Sequence, residues 1–279
     1  MTEIQALAEP PHALFAETAL RLREAYAKGM VDPLRGVLEP TDIDGAYAVQ
    51  AINTRFWVDS GRRIVGRKIG LTAEAVQRQL GVDRPDFGVL FDDMRYEDGA
   101  EIPIGRLLQP KAEAEVAFLL ASDIGDIKDA SNPAAIRDAV ALAFPALEIV
   151  DSRIADWRIG ITDTVADNAS SGVFVVGAQG VPLDAFEPID VTMTMRRGRG
   201  GGEVVSQGSG RDCLGDPLNA LAWLATTLIE VGTPLRAGDL VLSGALGPMV
   251  SVGPGDVFEA FIAPLGMVTA RFSGQGKLR

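Results

Sequence analysis

Two glutamates separated by one residue in an otherwise apolar stretch constrain the fold more than any other feature. Residues 111–120 read KAEAEVAFLL, and their length and apolar content predict a β-strand. Because alternate side chains of a strand share a face, Glu113 and Glu115 point the same way, about 7 Å apart. Two carboxylates that lead into an apolar run are costly to bury unless a cation lies between them.

A hard divalent cation would supply that charge, since Mg²⁺ and Mn²⁺ prefer oxygen ligands. The alternative is that both glutamates lie on the solvated face of an edge strand, the commoner arrangement for such a pair taken alone. A second predicted strand, 146–151, favours the cation. Its Glu148 has two apolar residues on each side, so we interpret it as the third ligand. Asp151 would face the other way and serve in a turn or behind the ligands.

The composition excludes several classes of function. The net charge is −12, from 26 Lys and Arg against 38 Asp and Glu, which argues against a nucleic-acid partner, since phosphates require clustered basic residues. The same charge argues against binding to an anionic membrane surface. No stretch resembles a secretory signal peptide, and no apolar run approaches the roughly 18 residues of a membrane span. We therefore expect a cytoplasmic protein.

The scarcity of two residue types limits the possible chemistry. The chain has one cysteine, Cys213, and one histidine, His12, so an intrachain disulfide and a cysteine-based zinc site are excluded. We interpret Cys213 as a buried or half-buried thiol and His12 as a surface residue at a helix start. Acid–base chemistry then falls mainly to Lys, Asp, Glu or Tyr.

The rest of the chain predicts helices first and strands later. Apolar spacing predicts helices over 12–28 and 41–60, which form an N-terminal helical layer over residues 1–62. Residues 63–279 form the core, and the whole chain makes one structural domain. A further helix is predicted from Asn132 to Ala143, before Pro145.

Three loops contain candidate functional residues. Lys68 lies just before a glycine-containing turn, in which Thr72 can cap a helix that runs to Leu80. Asp86 follows Pro85. Taken alone, Lys68 also fits a solvated surface lysine, and Asp86 an ordinary turn residue. In the third loop, residues 242–249, glycines let the backbone approach a ligand closely.

These segments resemble a known family when they are taken together. Six motifs occur in the family's order: GRKIGLT at 66–72, PDFG at 85–88, PKAEAE at 110–115, PALEIVDSR at 145–153, VADNASS at 165–171 and LSGALGPM at 242–249. The chain thereby resembles the hydratase/decarboxylase family of the fumarylacetoacetate hydrolase superfamily, and within it the 2-hydroxypenta-2,4-dienoate (2-oxopent-4-enoate) hydratases. The match runs from about Thr41 to Phe272.

The resemblance implies an α+β fold, with a mixed β-roll core and N-terminal and flanking helices. It implies Mg²⁺ or Mn²⁺ held by Glu113, Glu115 and Glu148, in agreement with the strand argument. It also implies a homo-oligomer, a pentamer or decamer, with an aldolase of the same pathway as a candidate partner. Acid–base roles fall on Lys68 and Asp86. Substrate-binding roles fall on five residues: Leu71, Thr72, Asn168, Ser243 and Gly244.

The activity that the resemblance implies is addition of water to 2-hydroxypenta-2,4-dienoate, giving 4-hydroxy-2-oxopentanoate, in meta-cleavage catabolism of aromatic compounds. The alternatives are 4-oxalocrotonate decarboxylase and a hydratase of a related 2-oxo-enoate. The loops at 87–91 and 244–249 favour the hydratase. Hydrolases of the superfamily that cleave carbon–carbon bonds use a His–Glu pair to activate water. The single histidine, His12, lies outside the matched region, so an acylpyruvate-type hydrolase is disfavoured. A non-catalytic scaffold with a structural cation is the remaining alternative.

Overall fold

The computed structural model describes residues 13–73, 77 and 84–274. His12 lies outside the described residues, as does most of the helix predicted after Thr72. Six α-helices are described, and none of them is long and apolar enough to cross a membrane. Their bounds are α1 Ala13–Lys28, α2 Ile43–Asp59, α3 Ile127–Ala130, α4 Pro133–Asp138, α5 Ile161–Ala166 and α6 Pro217–Glu230.

The described residues contain thirteen strands, which form two sheets. They are β1 Ile64–Gly70, β2 Asp86–Phe91, β3 Arg95–Tyr96, β4 Glu101–Ile102, β5 Lys111–Leu120, β6 Val140–Val150, β7 Ser171–Val176, β8 Thr192–Arg197, β9 Glu203–Ser209, β10 Leu240–Ala245, β11 Val250–Ser251, β12 Val257–Ala263 and β13 Gly266–Phe272. The larger sheet has the order β2-β1-β10-β5-β6-β7-β3, with β11 paired to β5, and the smaller has the order β4-β13-β12-β8-β9. Both sheets mix parallel and antiparallel pairs. The predicted α+β fold is confirmed.

The main core lies between the two sheets and under helix α6. Phe118 and Leu147 of the larger sheet belong to one buried cluster with Phe258 of the smaller sheet and with Leu221 and Leu224 of α6. All five side chains are completely buried. Burial of side chains of this size stabilises a fold by roughly 1.5–3 kcal/mol each, so the two sheets are held together mainly by apolar packing.

The two N-terminal helices begin and end close to the predicted positions. Asp42 caps α2 by accepting a hydrogen bond from the backbone N–H of Gly45, as expected for an acidic residue at this position. Buried residues of α1 and α2, such as Leu22 and Val49, pack against Val165 of α5 in a smaller apolar cluster. The N-terminal helices are thereby placed against the segment that follows β6.

The helix predicted up to Ala143 is wrong in its second half. Helix α4 ends at Asp138, and β6 begins at Val140. Pro145 lies inside this strand, opposite Val116 of β5, instead of preceding it. Val140 and Ala143 fit a helical stripe, but small and β-branched residues also suit a buried strand. Pairing with β5 on one side and β7 on the other therefore overrides the local preference.

Candidate metal and active site

Three glutamates from two adjacent strands meet at one point. Glu113 of β5 pairs directly with Glu148 of β6, and Glu115 lies two residues further along β5. One carboxylate oxygen from each of the three lies within 4.8 Å of the others. The exposed fraction is 0% for Glu115 and 1% for Glu148, while Glu113 is half-buried. The structure therefore brings the three predicted ligands together.

These carboxylates need positive charge that the described residues do not fully supply. No described donor makes a hydrogen bond to Oε1 of Glu115 or to either carboxylate oxygen of Glu148. The backbone N–H of Gly244 does donate to Oε2 of Glu115, at 2.7 Å. Burial, and then repulsion from its two neighbours, raises the pKa of Glu115 well above its ordinary value. Burial likewise raises the pKa of Glu148 to about 7 and raises that of Glu113. Unpartnered buried oxygens of this kind fit a divalent cation.

Lys68 of β1 is the cation nearest to this cluster among the described side chains. Its Nζ lies 3.3 Å from Oε2 of Glu148 and donates to the carbonyl of Ala169 at 2.9 Å. Burial opposes the charge on Lys68, but four carboxylates, with Glu148 contributing most, outweigh it and raise its pKa. Lys68 is therefore a charged, buried group and not a surface lysine.

Contact between Lys68 and Glu148 requires a curled sheet. Strands β10 and β5 separate β1 from β6 in the larger sheet. At about 4.8 Å per strand, a flat sheet would hold β1 and β6 roughly 14 Å apart, and side chains that stand roughly perpendicular to the sheet could not meet across that distance. The curl brings the ends of these strands around one site.

Asp86 lies beside Lys68 on the neighbouring strand. Gly70 of β1 pairs with Asp86 of β2, and Lys68 pairs with Gly88, so the two side chains are diagonal neighbours on one face. A Cβ at Gly70 would come within 2.2 Å of Oδ1 of Asp86, so a glycine is needed here. Oδ2 accepts from the hydroxyl of Thr164, whereas Oδ1 has no hydrogen-bond partner among the described residues. Burial raises the pKa of Asp86, and Lys68 partly opposes the rise.

The carbonyl that holds Lys68 belongs to an unusual turn. Asn168, Ala169 and Ser170 all have positive φ, at 56°, 50° and 51°. Such backbone is strained for residues other than glycine and persists only where the surroundings enforce it. The Asn168 amide does so by both accepting from the backbone N–H and donating to the carbonyl of Val89.

A buried ion pair fixes the start of the same turn. The guanidinium of Arg153 donates to the carboxylate and to the carbonyl of Asp167, and it reaches the carbonyl of Ser171 at 2.5 Å. Both side chains are at least 94% buried. Asp151, which directly follows β6, accepts hydrogen bonds from the backbone N–H groups of Leu108 and Gln109. It does not join the metal cluster, as the strand argument predicted.

A cavity of about 190 Å³ opens onto Lys68, Asp86 and Glu113. The rest of its lining is mostly apolar, apart from one further ammonium group, Lys111, which lies 4.2 Å from the ring centre of Trp157. The lining therefore combines charged groups with apolar side chains. The remaining lining residues are Gly70, Leu71, Val150, Trp157, Ile159, Thr164, Ala169, Ser170 and Met249.

The residues predicted to bind substrate lie in different places. Leu71 lines the cavity. Thr72, Ser243, Gly244 and Asn168 do not line it. Thr72 packs against Gly244, where a Cβ would come within 2.4 Å of its hydroxyl oxygen. The backbone N–H of Gly244 in turn donates a hydrogen bond to Glu115, so Thr72 and Gly244 support the position of this metal ligand. Whether they also contact substrate stays a prediction.

Cys213 is buried, as the sequence indicated. Its thiol donates to the carbonyl of Ser243 at 3.0 Å. Burial raises its pKa to about 12, with the nearby Glu115 as the next cause. The group therefore stays a neutral thiol and is unsuited to act as a nucleophile.

Comparison with known proteins identifies the family. The family model described as fumarylacetoacetate (FAA) hydrolase C-terminal matches residues 64–273. The chain belongs to the fumarylacetoacetate hydrolase family. Within this family, the chain is 53% identical to 2-keto-4-pentenoate hydratase 1 of Dechloromonas aromatica, over 91% of this chain and 95% of that one. It is 51% identical to 2-keto-4-pentenoate hydratase of Paraburkholderia xenovorans, over 92% and 94%.

A solved structure in the fumarylacetoacetate hydrolase superfamily matches the whole fold. It is 4-oxalocrotonate decarboxylase from Pseudomonas putida G7, complexed with magnesium and adipate. The TM-score is 0.86 and the sequence identity is 30%, and the match covers 98% of both chains.

Sequence reasoning missed several groups around this site. The carbonyl of Ala169 is a backbone atom whose position depends on a left-handed turn, so the sequence carries no signal for it. Lys111 lies in the motif PKAEAE at 110–115, two residues before Glu113. The alternation of side chains along a strand could have placed it on the same face as Glu113. Trp157 reaches the cavity through a loop with positive φ at Asp156 and Trp157, which no periodicity predicts.

Proposed function

We propose that this protein is a metal-dependent hydratase that converts 2-hydroxypenta-2,4-dienoate into 4-hydroxy-2-oxopentanoate. In the first step the dienol is protonated at C5 and loses its hydroxyl proton, giving a 2-oxo-3-enoate. In the second step water adds across C3 and C4, so that C4 gains the hydroxyl and C3 a proton. The observation that carries this proposal is identity above 50% with hydratases of this type over nearly the whole chain.

The metal in this proposal is Mg²⁺ or Mn²⁺, held by Glu113, Glu115 and Glu148. The donor set supports it, because all three groups are carboxylates and their buried oxygens have unused acceptor capacity. The related decarboxylase is also complexed with magnesium. When bound, the ion supplies positive charge that polarises the 2-oxo acid end of the substrate.

Lys68 and Asp86 perform the proton transfers in this proposal. The raised pKa of Lys68 keeps its Nζ protonated, so it can donate a hydrogen bond or a proton to a substrate oxygen in the cavity. The pKa of Asp86 is raised, and its Oδ1 has no hydrogen-bond partner among the described residues, so that atom is suited to accept and return a proton. The apolar side chains of the lining, which include Trp157 and Met249, exclude water from the hydrocarbon end of the substrate.

A comparison of two substrates tests this function. Supplied with 2-hydroxypenta-2,4-dienoate, the metal-loaded enzyme should remove the dienol's ultraviolet absorbance and form 4-hydroxy-2-oxopentanoate. Supplied with 4-oxalocrotonate, it should release little carbon dioxide. Rapid release of carbon dioxide without hydration would overturn the proposal and leave the metal site standing.

A decarboxylase is the second candidate, and one observation favours it. Lys111 places an ammonium group on the wall of the cavity, where it could pair with the far carboxylate of a dicarboxylic substrate. Replacement of Lys111 with Met separates the candidates. In a hydratase of a monocarboxylate, the variant should keep kcat/KM within about threefold, whereas loss of a charge-assisted contact in a decarboxylase should lower it by about tenfold or more.

We also propose that the chain assembles into a homo-oligomer, a pentamer or decamer. This assembly, a cytoplasmic location and association with an aldolase of the same pathway rest on the family resemblance alone. Light scattering after size-exclusion chromatography tests the assembly, and a monomer at micromolar concentration would contradict it.

A further inference from the structure

A second cavity, of about 300 Å³, lies on the far side of the 167–171 turn from the metal site. Asp167, Asn168 and Ser171 line this second cavity, whereas Ala169 and Ser170 line the catalytic one. No described residue lines both. Helices α1 and α2 provide the outer wall, so the two cavities open from different faces of the turn.

Positive charge is in excess around the second cavity. Asp93 is shared between Arg62, whose Nε lies 2.7 Å away, and Arg106, at 3.5 Å. Arg23 donates to a neutral group, the side-chain oxygen of Asn53, at 2.6 Å. The charged lining residues are four arginines and two aspartates: Arg23, Arg62, Arg106, Arg153, Asp93 and Asp167. An anion would therefore be attracted to this cavity.

A buried polar group with unused hydrogen-bonding capacity adds independent support. Ser171 is only 3% exposed, and its hydroxyl has no hydrogen-bond partner among the residues that the structure describes. Buried hydroxyls are normally hydrogen-bonded, and an unpartnered one calls for a ligand or water. Ser171 lines the cavity, so its hydroxyl is a candidate donor for a bound acceptor atom.

The remaining wall of the second cavity is partly apolar. Trp57 and Phe91 line the cavity, and the guanidinium of Arg62 lies 5.0 Å and 4.2 Å from their ring centres. Leu22 and Met94 add aliphatic surface. An apolar lining with a few convergent polar groups is the usual construction of a small-molecule site, and this volume lies at the lower end of the roughly 300–1,000 Å³ range.

We propose that this second cavity is a binding site for a small carboxylate with an apolar body, separate from the metal site. The carboxylate lies toward Arg23 and Arg106, and the apolar body lies against Trp57. This inference goes beyond the proposed hydratase activity and does not depend on it.

Binding of benzoate to the full chain tests the proposal, with benzamide as the neutral probe of the same shape. Calorimetry should show saturable binding of benzoate and none of benzamide. In Arg23→Gln the affinity for benzoate should fall by at least about fivefold, because a charge-assisted contact is lost. In the matched control Arg21→Gln, which alters an exposed arginine of the same helix, the affinity should stay within about twofold.

A third variant separates this site from the catalytic cavity. Benzoate bound near the metal would lose affinity in Lys68→Met and keep it in Arg23→Gln. We expect the opposite pair of results. Circular dichroism confirms that each variant is folded. Ser171→Ala, which should also weaken binding, replaces Arg23→Gln if that variant is not, and Lys111→Met, a second change in the catalytic cavity, likewise replaces Lys68→Met. Absence of binding, equal affinity in wild type and Arg23→Gln, or loss of affinity in Lys68→Met would overturn the proposal.

Discussion

Replacement of Lys68 by Met should strongly destabilise the metal-free protein. Lys68 is 2% exposed, and its Nζ lies 3.3 Å from Glu148 in a cluster of three carboxylates, two of which are fully buried. Removal of one partner of a buried ion pair typically costs 3–5 kcal/mol, because the other charge is left without compensation. We therefore expect a loss of about 3–5 kcal/mol in the free energy of unfolding, or roughly 6–10 °C in melting temperature.

The expected loss is measured by urea denaturation of the chelator-treated variant and wild type at the same protein concentration. Lys111→Met is the matched control, because Lys111 also lies near Glu113 but is only about half-buried. It should cost less than about 1 kcal/mol, as exposed ion pairs do. The double variant Lys68→Met/Glu148→Gln should recover part of the loss, since both charges are then absent. A loss below about 1 kcal/mol for Lys68→Met would refute the conclusion that Lys68 compensates buried negative charge at this cluster.

Three further predictions concern the same site. Asp86→Asn should lower kcat by about 10²–10⁴ in steady-state assays while calorimetry shows unchanged metal binding; wild-type turnover would exclude Asp86 from proton transfer. His12→Ala and Cys213→Ser should keep kcat/KM near the wild-type value, and a loss above about 100-fold in either would restore a hydrolase-type or nucleophilic mechanism. Because the pKa of Glu148 is raised to about 7 in the metal-free fold, that fold loses stability as pH rises through this value, and bound metal restores it. The Mn²⁺-induced rise in melting temperature should therefore grow between about pH 5.5 and about pH 8; a constant rise would argue against ligation by this carboxylate.

The metal ligands could be predicted from local sequence because strand periodicity alone relates them. Glu113 and Glu115 share a face by alternation, and Glu148 was recognised by its apolar neighbours. The structure pairs Glu113 with Glu148 directly. These inferences needed only the two strands to be adjacent in an antiparallel pair.

The parts of the site that depend on long-range geometry could not be predicted. Contact between Lys68 and Glu148 needs the curl of the sheet across two intervening strands. The Ala169 carbonyl needs a left-handed turn that the buried Arg153–Asp167 pair fixes. Neither the curl nor a buried partner far along the chain leaves a local pattern in the sequence.

The secondary structure was predicted well where the sequence pattern favoured only a helix, and poorly where it favoured both a helix and a strand. Asp42 and the apolar stripe placed helix α2 correctly. The segment after Asp138 carried both a helical stripe and β-compatible residues, and its pairing partners decided the outcome. The division of the chain into a helical layer, 1–62, and a core, 63–279, stays a prediction.

Titration of the metal-stripped enzyme with Mn²⁺, while hydration of 2-hydroxypenta-2,4-dienoate is followed, tests the central claim most directly. The stripped enzyme should be inactive. Activity should then rise in proportion to bound Mn²⁺ and reach its maximum at one ion per chain, and Glu148→Ala should bind no ion and gain no activity. Full hydration by the stripped enzyme, or full recovery of Glu148→Ala, would contradict a catalytic ion held by Glu113, Glu115 and Glu148.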